Sequence, residues 1–269
     1  MFAAFASIPN FLGNTKFLAY PSLISTVSPF FPRDLTKWLA FTLAEVLITL
    51  AIIGVVSVLT LPNVMTNYKT RVFTTQIQRF YNQWNNAATQ YMQDQNVDKF
   101  DETGIMTTPQ DFFKKYFKVT KVCGNDANGC FGKEYFTITD KSNAVTVTEI
   151  VNNEYKPYCV TLNTGASVCY LIEMPDVVIF DANGVDLPNV AGRDYFLITQ
   201  DFRGDGTLGK YIVEPETRAD KDGNTYQVSG SEILEEAKKY CTEPRSIDIK
   251  RFGFDCFKYI QANSWKMDY

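Results

Sequence analysis

Histidine is absent from the 269 residues, which removes Ser-His-Asp and Cys-His catalysis, most zinc sites and the usual proton shuttle near neutral pH. Basic residues are in slight deficit: 26 Lys and Arg against 30 Asp and Glu give a net charge of -4. No stretch has the basic footprint of a nucleic-acid binder. The imbalance is uneven, because residues 1–40 hold Lys16, Arg33 and Lys37 against Asp34, leaving 23 basic residues facing 29 acidic ones in the remainder. Cysteine does not occur before Cys123, and no pair of cysteines has Cys-x-x-Cys spacing. No nucleophile and base pair can be named, so an enzyme is the less favoured class.

Charge is scarcest between residues 41 and 62, where Phe-Thr-Leu-Ala-Glu-Val-Leu-Ile-Thr-Leu-Ala-Ile-Ile-Gly-Val-Val-Ser-Val-Leu-Thr-Leu-Pro contains one ionisable group, Glu45. The 21 residues from Phe41 to Leu61 make a helical rod of about 30 Å, the hydrocarbon thickness of a bilayer. An acid in such a span costs free energy, less near its end than at its centre, and usually persists because a partner uses it. With 45% apolar residues, the chain is long enough for this membrane segment plus one globular head.

Phe-Thr-Leu-Ala-Glu followed by an aliphatic stretch resembles the cleavage and N-methylation signature of type IV prepilins and type II secretion pseudopilins. Gly54 and Pro62 fall where that family keeps helix-weakening residues. The resemblance covers residues 37–68, with one departure: Ala40 stands where the family has Gly before the cut. It implies processing between Ala40 and Phe41 by a prepilin peptidase and N-methyltransferase, and a filament built from copies of the chain or related pilins. It also implies that Glu45 pairs with the N-terminal amine of a neighbouring subunit. A bacterial cytoplasmic-membrane protein with one pass and an extracytoplasmic head is the expected location. The alternative is a single-span anchored binding protein or adhesin that keeps its leader and does not polymerise.

On this reading residues 1–40 are a leader, 41–95 a transmembrane and then amphipathic helix, and 96–269 the head. The leader is rich in Phe, is broken by Pro9, Pro21, Pro29 and Pro32, and has no positive charge ahead of its apolar part, unlike a secretory signal. Six cysteines, Cys123, Cys130, Cys159, Cys169, Cys241 and Cys256, lie in the portion the family exports, where disulfides form. Their order groups them as neighbours and predicts bridges 123–130, 159–169 and 241–256. A thiolate metal site and free buried thiols are the alternatives.

After Pro62 the pattern becomes amphipathic: Phe73, Ile77, Phe80, Trp84, Ala87 or Ala88, and Tyr91 form one helical face continuous with the span. Thr108-Pro109 starts a second helix through Phe117, and Ser229 with Glu232 a third through Tyr240. Strand-like segments at Tyr135–Thr139, Val145–Val151, Val168–Ile172, Val177–Phe180, Tyr195–Thr199 and Tyr211–Val213 predict an antiparallel sheet. The fold class is therefore α+β: a long N-terminal helix packed on an antiparallel sheet, as the resemblance to pilins also implies.

Two loops have chemical patterns. Gly204-Asp-Gly-Thr-Leu-Gly-Lys210 matches phosphate-loop spacings, yet the residues after it read as a strand and Asp205 repels phosphate, so a hairpin turn is expected and no nucleotide. Asp181, Asn183 and Asp186 offer oxygens to a hard cation, with Gly184 free for a tight turn. Calcium is one reading and a plain Asn-Gly turn the other, since the acid an EF-hand needs twelve residues along is Gly192. The stretch Asp181–Phe196 also resembles a pattern in prepilin-like heads, implying that Pro188, Asn189, Gly192 and Asp194 build a rigid loop.

Overall fold

A computed structural model describes residues 42–139, 144–151, 153–209, 214–242 and 253–269. By contact the chain divides into residues 1–55 and 56–269, a division that falls inside helix α1, Leu43–Gln95. Up to Met65 the large apolar side chains of α1 are 42–78% exposed. From Phe73 onward the expected stripe is buried: Ile77, Trp84 and Ala88 are fully enclosed, and Phe73, Phe80, Ala87 and Tyr91 nearly so. A spacing of three and four keeps these residues on one side, which is why this part of α1 serves as a core element.

The sheet has order β1-β4-β5-β6-β7, antiparallel throughout, from β1 Val119–Gly124, β4 Pro157–Leu162, β5 Ser167–Leu171, β6 Val177–Asp181 and β7 Tyr195–Thr199. Alternating side chains divide between its faces. Val160, Val168, Tyr170, Val178, Phe180, Phe196 and Ile198 meet α1 and helix α2, Pro109–Tyr116. Cys159, Cys169, Leu171, Ile179, Tyr195 and Leu197 face a second core with Tyr135, Val145 and Val147. Covering both faces explains why β5 is buried along its whole length. The first core is aromatic: Phe80 stacks on Phe180 with centroids 4.4 Å apart, and Trp84 sits 5.2 Å from Phe112 and 6.0 Å from Phe113. Such pairs each add roughly 0.5–1.5 kcal/mol beyond the area they bury.

The remaining elements are the ribbon β2 Glu134–Tyr135 with β3 Val145–Thr146, the helical turn α3 Val147–Ile150, the hairpin β8 Glu216–Ala219 with β9 Thr225–Val228, and helices α4 Gly230–Thr242 and α5 Phe254–Ala262. Several differ from expectation. The segment Val145–Val151 is strand for two residues only, because Thr146 and Glu149 form a reciprocal capping box that turns the chain into α3 despite its β-branched residues. Tyr135–Thr139 pairs as strand only to Tyr135, after which Phe136 bridges Val190. Thr108 precedes α2 without capping it, since its hydroxyl donates to the Gly104 carbonyl at 3.1 Å. Tyr211–Val213 lies outside the described residues, as do the leader and Phe41.

Three disulfides join Cys123 to Cys130, Cys159 to Cys169 and Cys241 to Cys256, so no cysteine is free. The first links the end of β1 to the following loop. The second spans directly opposed residues of β4 and β5, and the third ties α4 to α5.

Candidate functional site

The start of α1 is built by two residues. Thr42 is the N-cap: its hydroxyl accepts the Glu45 N–H at 3.2 Å, while the Glu45 carboxylate reaches back to the Thr42 N–H at 2.8 Å and the Thr42 hydroxyl at 2.9 Å. This capping box satisfies N–H groups that a helix start otherwise leaves open. Its Thr-x-x-Glu spacing is legible in the sequence and gives Glu45 a role inside its own helix. Both residues are exposed, and Glu45 has no ion pair among the described residues. Ala40 and Phe41, the two sides of the expected cleavage, lie outside the described residues.

Past this box, α1 is long and apolar enough to cross a membrane, the one such helix among the described residues. A Cβ added to Gly54 would meet nothing within 4 Å, so no contact inside the chain requires glycine there. Pro62 lies within α1 without ending it, although it lacks the N–H that would bond back one turn. Threonine hydroxyls on either side donate into the same ladder, Thr60 to Val56 at 2.8 Å and Thr66 to Pro62 at 2.9 Å. Such back-bonding satisfies the hydroxyls without water.

In the head, the loop between β6 and β7 gathers two buried carboxylates. Asp181 accepts from the N–H groups of Asn183 at 3.0 Å and Gly184 at 2.8 Å with one oxygen, and from the Tyr135 hydroxyl with the other. Asp194 accepts from the N–H groups of Asn189 at 2.7 Å and Val190 at 2.6 Å. Burial raises both acids, Asp194 to about 6 and Asp181 well above its ordinary range, with the Asp194 charge adding to the second shift. Burial likewise raises Tyr135. Asp194 thus ties the loop that Asn189 and Gly192 turn, both at positive φ.

The calcium candidates do not converge. Asp181 already serves three protein donors, Asn183 turns its amide nitrogen to the Asp186 carbonyl, and the Asp186 side chain is exposed. Among the described residues no group of three or more His, Cys, Asp or Glu comes together to hold a metal. Lys210 of the glycine-rich loop lies outside the described residues; in the rest, Leu208 bridges Gln200, Asp205 accepts from Thr207, and the Gly206 carbonyl receives the Trp84 indole N–H at 3.1 Å. The loop is a turn anchored on α1, and a Cβ on Gly206 would strike the Phe100 ring. Compared with protein-family models, curated proteins and solved structures, the chain finds no match.

Proposed function

We propose that the chain is a pilin-like structural subunit, of a type IV pilus or a type II secretion pseudopilus, in a bacterial cytoplasmic membrane. A prepilin peptidase cuts between Ala40 and Phe41 and the new amine is N-methylated. Copies of the chain or related pilins then dock through α1, Glu45 of one subunit facing the amine of the next. The head carries no catalytic role. The observation that carries this reading is the start of α1: a membrane-length apolar stretch, none of it buried, whose single acid lies in the first turn. The faces of Leu43, Val46, Leu47, Leu50, Ile53 and Val56 supply packing area, and in a low-dielectric bundle a paired acid and amine favour one register, because misregister leaves a charge unpaired.

A second reading has its own support. Glu45 is already bonded inside its own helix, as it would be in a monomeric anchor displaying a disulfide-bonded binding head. N-terminal sequencing of protein recovered from membranes of its native host separates the two. Methylated Phe41 at the first position supports the subunit, and an intact leader beginning at Met1 rejects it.

A further inference from the structure

The head has an open cleft of about 530 Å³ between the face of α1 carrying Asn67, Thr70, Arg71 and Gln78 and the C-terminal turn Trp265-Lys266-Met267. Its lining holds two cations, Arg71 and Lys266, several hydroxyl and amide groups, and no acid. Neither cation has an ion pair among the described residues. The nearest acid in sequence, Asp268, is held by the Tyr259 hydroxyl at 2.6 Å and lies 3.6 Å from the Lys238 ammonium. An uncompensated basic cleft in a chain of net negative charge is made for an anion.

The C-terminal wall is fixed in place. Ser264 and Trp265 both take positive φ, a conformation non-glycine residues adopt only where their surroundings enforce it. The Trp265 N–H bonds to the Ile260 carbonyl at 2.8 Å, and its ring packs 5.4 Å from Tyr81 and 6.1 Å from Phe257. The last residue, Tyr269, donates to the Gly192 carbonyl. Lys266 is therefore presented opposite Arg71 rather than left on a free tail.

Position names the anion. On α1 the exposed apolar residues continue through Leu61, Val64 and Met65, and exposed Tyr68 follows. Arg71 comes six residues after Met65 and ten after Leu61, a rise of about 9 to 15 Å, and long side chains on a helix lean back toward its N-terminus. That reach returns the Arg71 guanidinium toward the headgroup zone, which adds roughly 5 to 7 Å on each side of the hydrocarbon. Val64 lies on the same stripe of α1, two turns before Arg71, where an acyl chain would run. Exposed Tyr68 is of the residue type that settles at this depth.

We infer that the cleft binds the phosphate of an anionic phospholipid in the bilayer from which α1 emerges, with Arg71 and Lys266 as the binding pair. This rests on α1 as a membrane span and not on cleavage at Ala40. The full chain in neutral detergent, titrated with short-chain phosphatidylglycerol, phosphatidylcholine or inorganic phosphate and followed by native mass spectrometry, tests it.

Phosphatidylglycerol should bind best. A direct contact between an exposed charge and the phosphate contributes up to roughly fivefold in affinity, so the double substitution Arg71→Gln/Lys266→Gln should weaken binding by up to about 30-fold. Lys69→Gln, outside the cleft, should leave it nearly unchanged, and unchanged circular dichroism with three intact disulfides shows that the variants fold. Equal binding of phosphatidylcholine, undiminished binding by the double variant, or an equal loss from Lys69→Gln overturns the cleft. Inorganic phosphate binding as tightly as the lipid overturns the lipid source, and a double variant that loses self-association while keeping lipid assigns the face to a second copy. A chain that keeps its leader yet passes the lipid test rejects the pilin-like reading and leaves this one standing.

Discussion

Gly192→Ala tests the loop on which the C-terminal part of the head rests. Gly192 has φ +82°, and an added Cβ would lie 2.2 Å from Cys256 Sγ, 2.9 Å from Cys256 Cβ and 3.1 Å from Cys241 Sγ. Those sulfurs are bonded to each other, so neither can swing aside, and Cys256 is buried. Relief requires moving the 188–195 loop or the α4–α5 pair, and either movement loosens the Tyr269 bond to the Gly192 carbonyl. The left-handed backbone costs about 1–2 kcal/mol for alanine and overpacking typically about 1–3 kcal/mol, so the substitution should destabilise by about 2–5 kcal/mol. Gly165→Ala isolates the first term, because Gly165 has φ +86° and open space where its Cβ would go. Urea unfolding of the full chain in detergent, followed by fluorescence of the buried Trp84, measures both. In a Cys241→Ala/Cys256→Ala background the cost of Gly192→Ala should fall toward that of Gly165→Ala, a coupling of at least about 1 kcal/mol between contacting sites. A Gly192→Ala cost no larger than that of Gly165→Ala refutes the clash.

The two buried carboxylates should make the head more stable in mild acid. Asp194 titrates near 6 when folded and near 3.8 as a free side chain, so the folded state holds the extra proton between those values; stability rises as pH falls through about 6, by roughly 3 kcal/mol when complete. Asp181 adds in the same direction. The unfolding midpoint should therefore climb between pH 7.5 and 5 and the slope should shrink in Asp194→Asn; a flat or falling midpoint contradicts this. Glu45→Gln keeps an oxygen for the Thr42 N–H but removes the charge, whereas Glu45→Ala removes both. Charge pairing predicts that both lose filament incorporation, and wild-type incorporation of the Gln variant rejects it. Millimolar calcium and excess chelator should give the same unfolding midpoint, since Asp181 is taken by protein donors, and a midpoint that rises with calcium by mass action would return the ion to this loop.

Local regularity made most of the fold legible. The 3.6-residue stripe from Phe73 to Tyr91 and the β-branched runs of β5, β6 and β7 each agree with their burial, and sequence neighbours proved to be the disulfide partners. What escaped was set by tertiary context. β1, Val-Thr-Lys-Val-Cys-Gly, is a half-exposed edge with weak alternation, and β4, absent from the expected strands, opens on Pro157, which has no N–H for the ladder. α5 follows a left-handed Gly253 with no side-chain cap to announce it. In the candidate site, apolar length and the lone acid were plain, whereas the Thr42 contacts needed coordinates to be weighed against the charge.

Those contacts change what Glu45 has to do. In hydrocarbon the first N–H groups of a helix have no water to meet them, and Thr42 with Glu45 satisfies two. The acid therefore has a local reason to persist even in an isolated span, and its presence alone does not separate a polymerising subunit from a monomeric anchor. If the chain docks by charge, Glu45 must share or exchange the Thr42 N–H for a neighbour's amine. The attraction that counts is the difference between these two states rather than the full pairing of a bare carboxylate. A Thr42→Val variant, which removes the hydroxyl from that competition and leaves the charge, should then incorporate at least as readily as the wild type wherever charge pairing governs assembly.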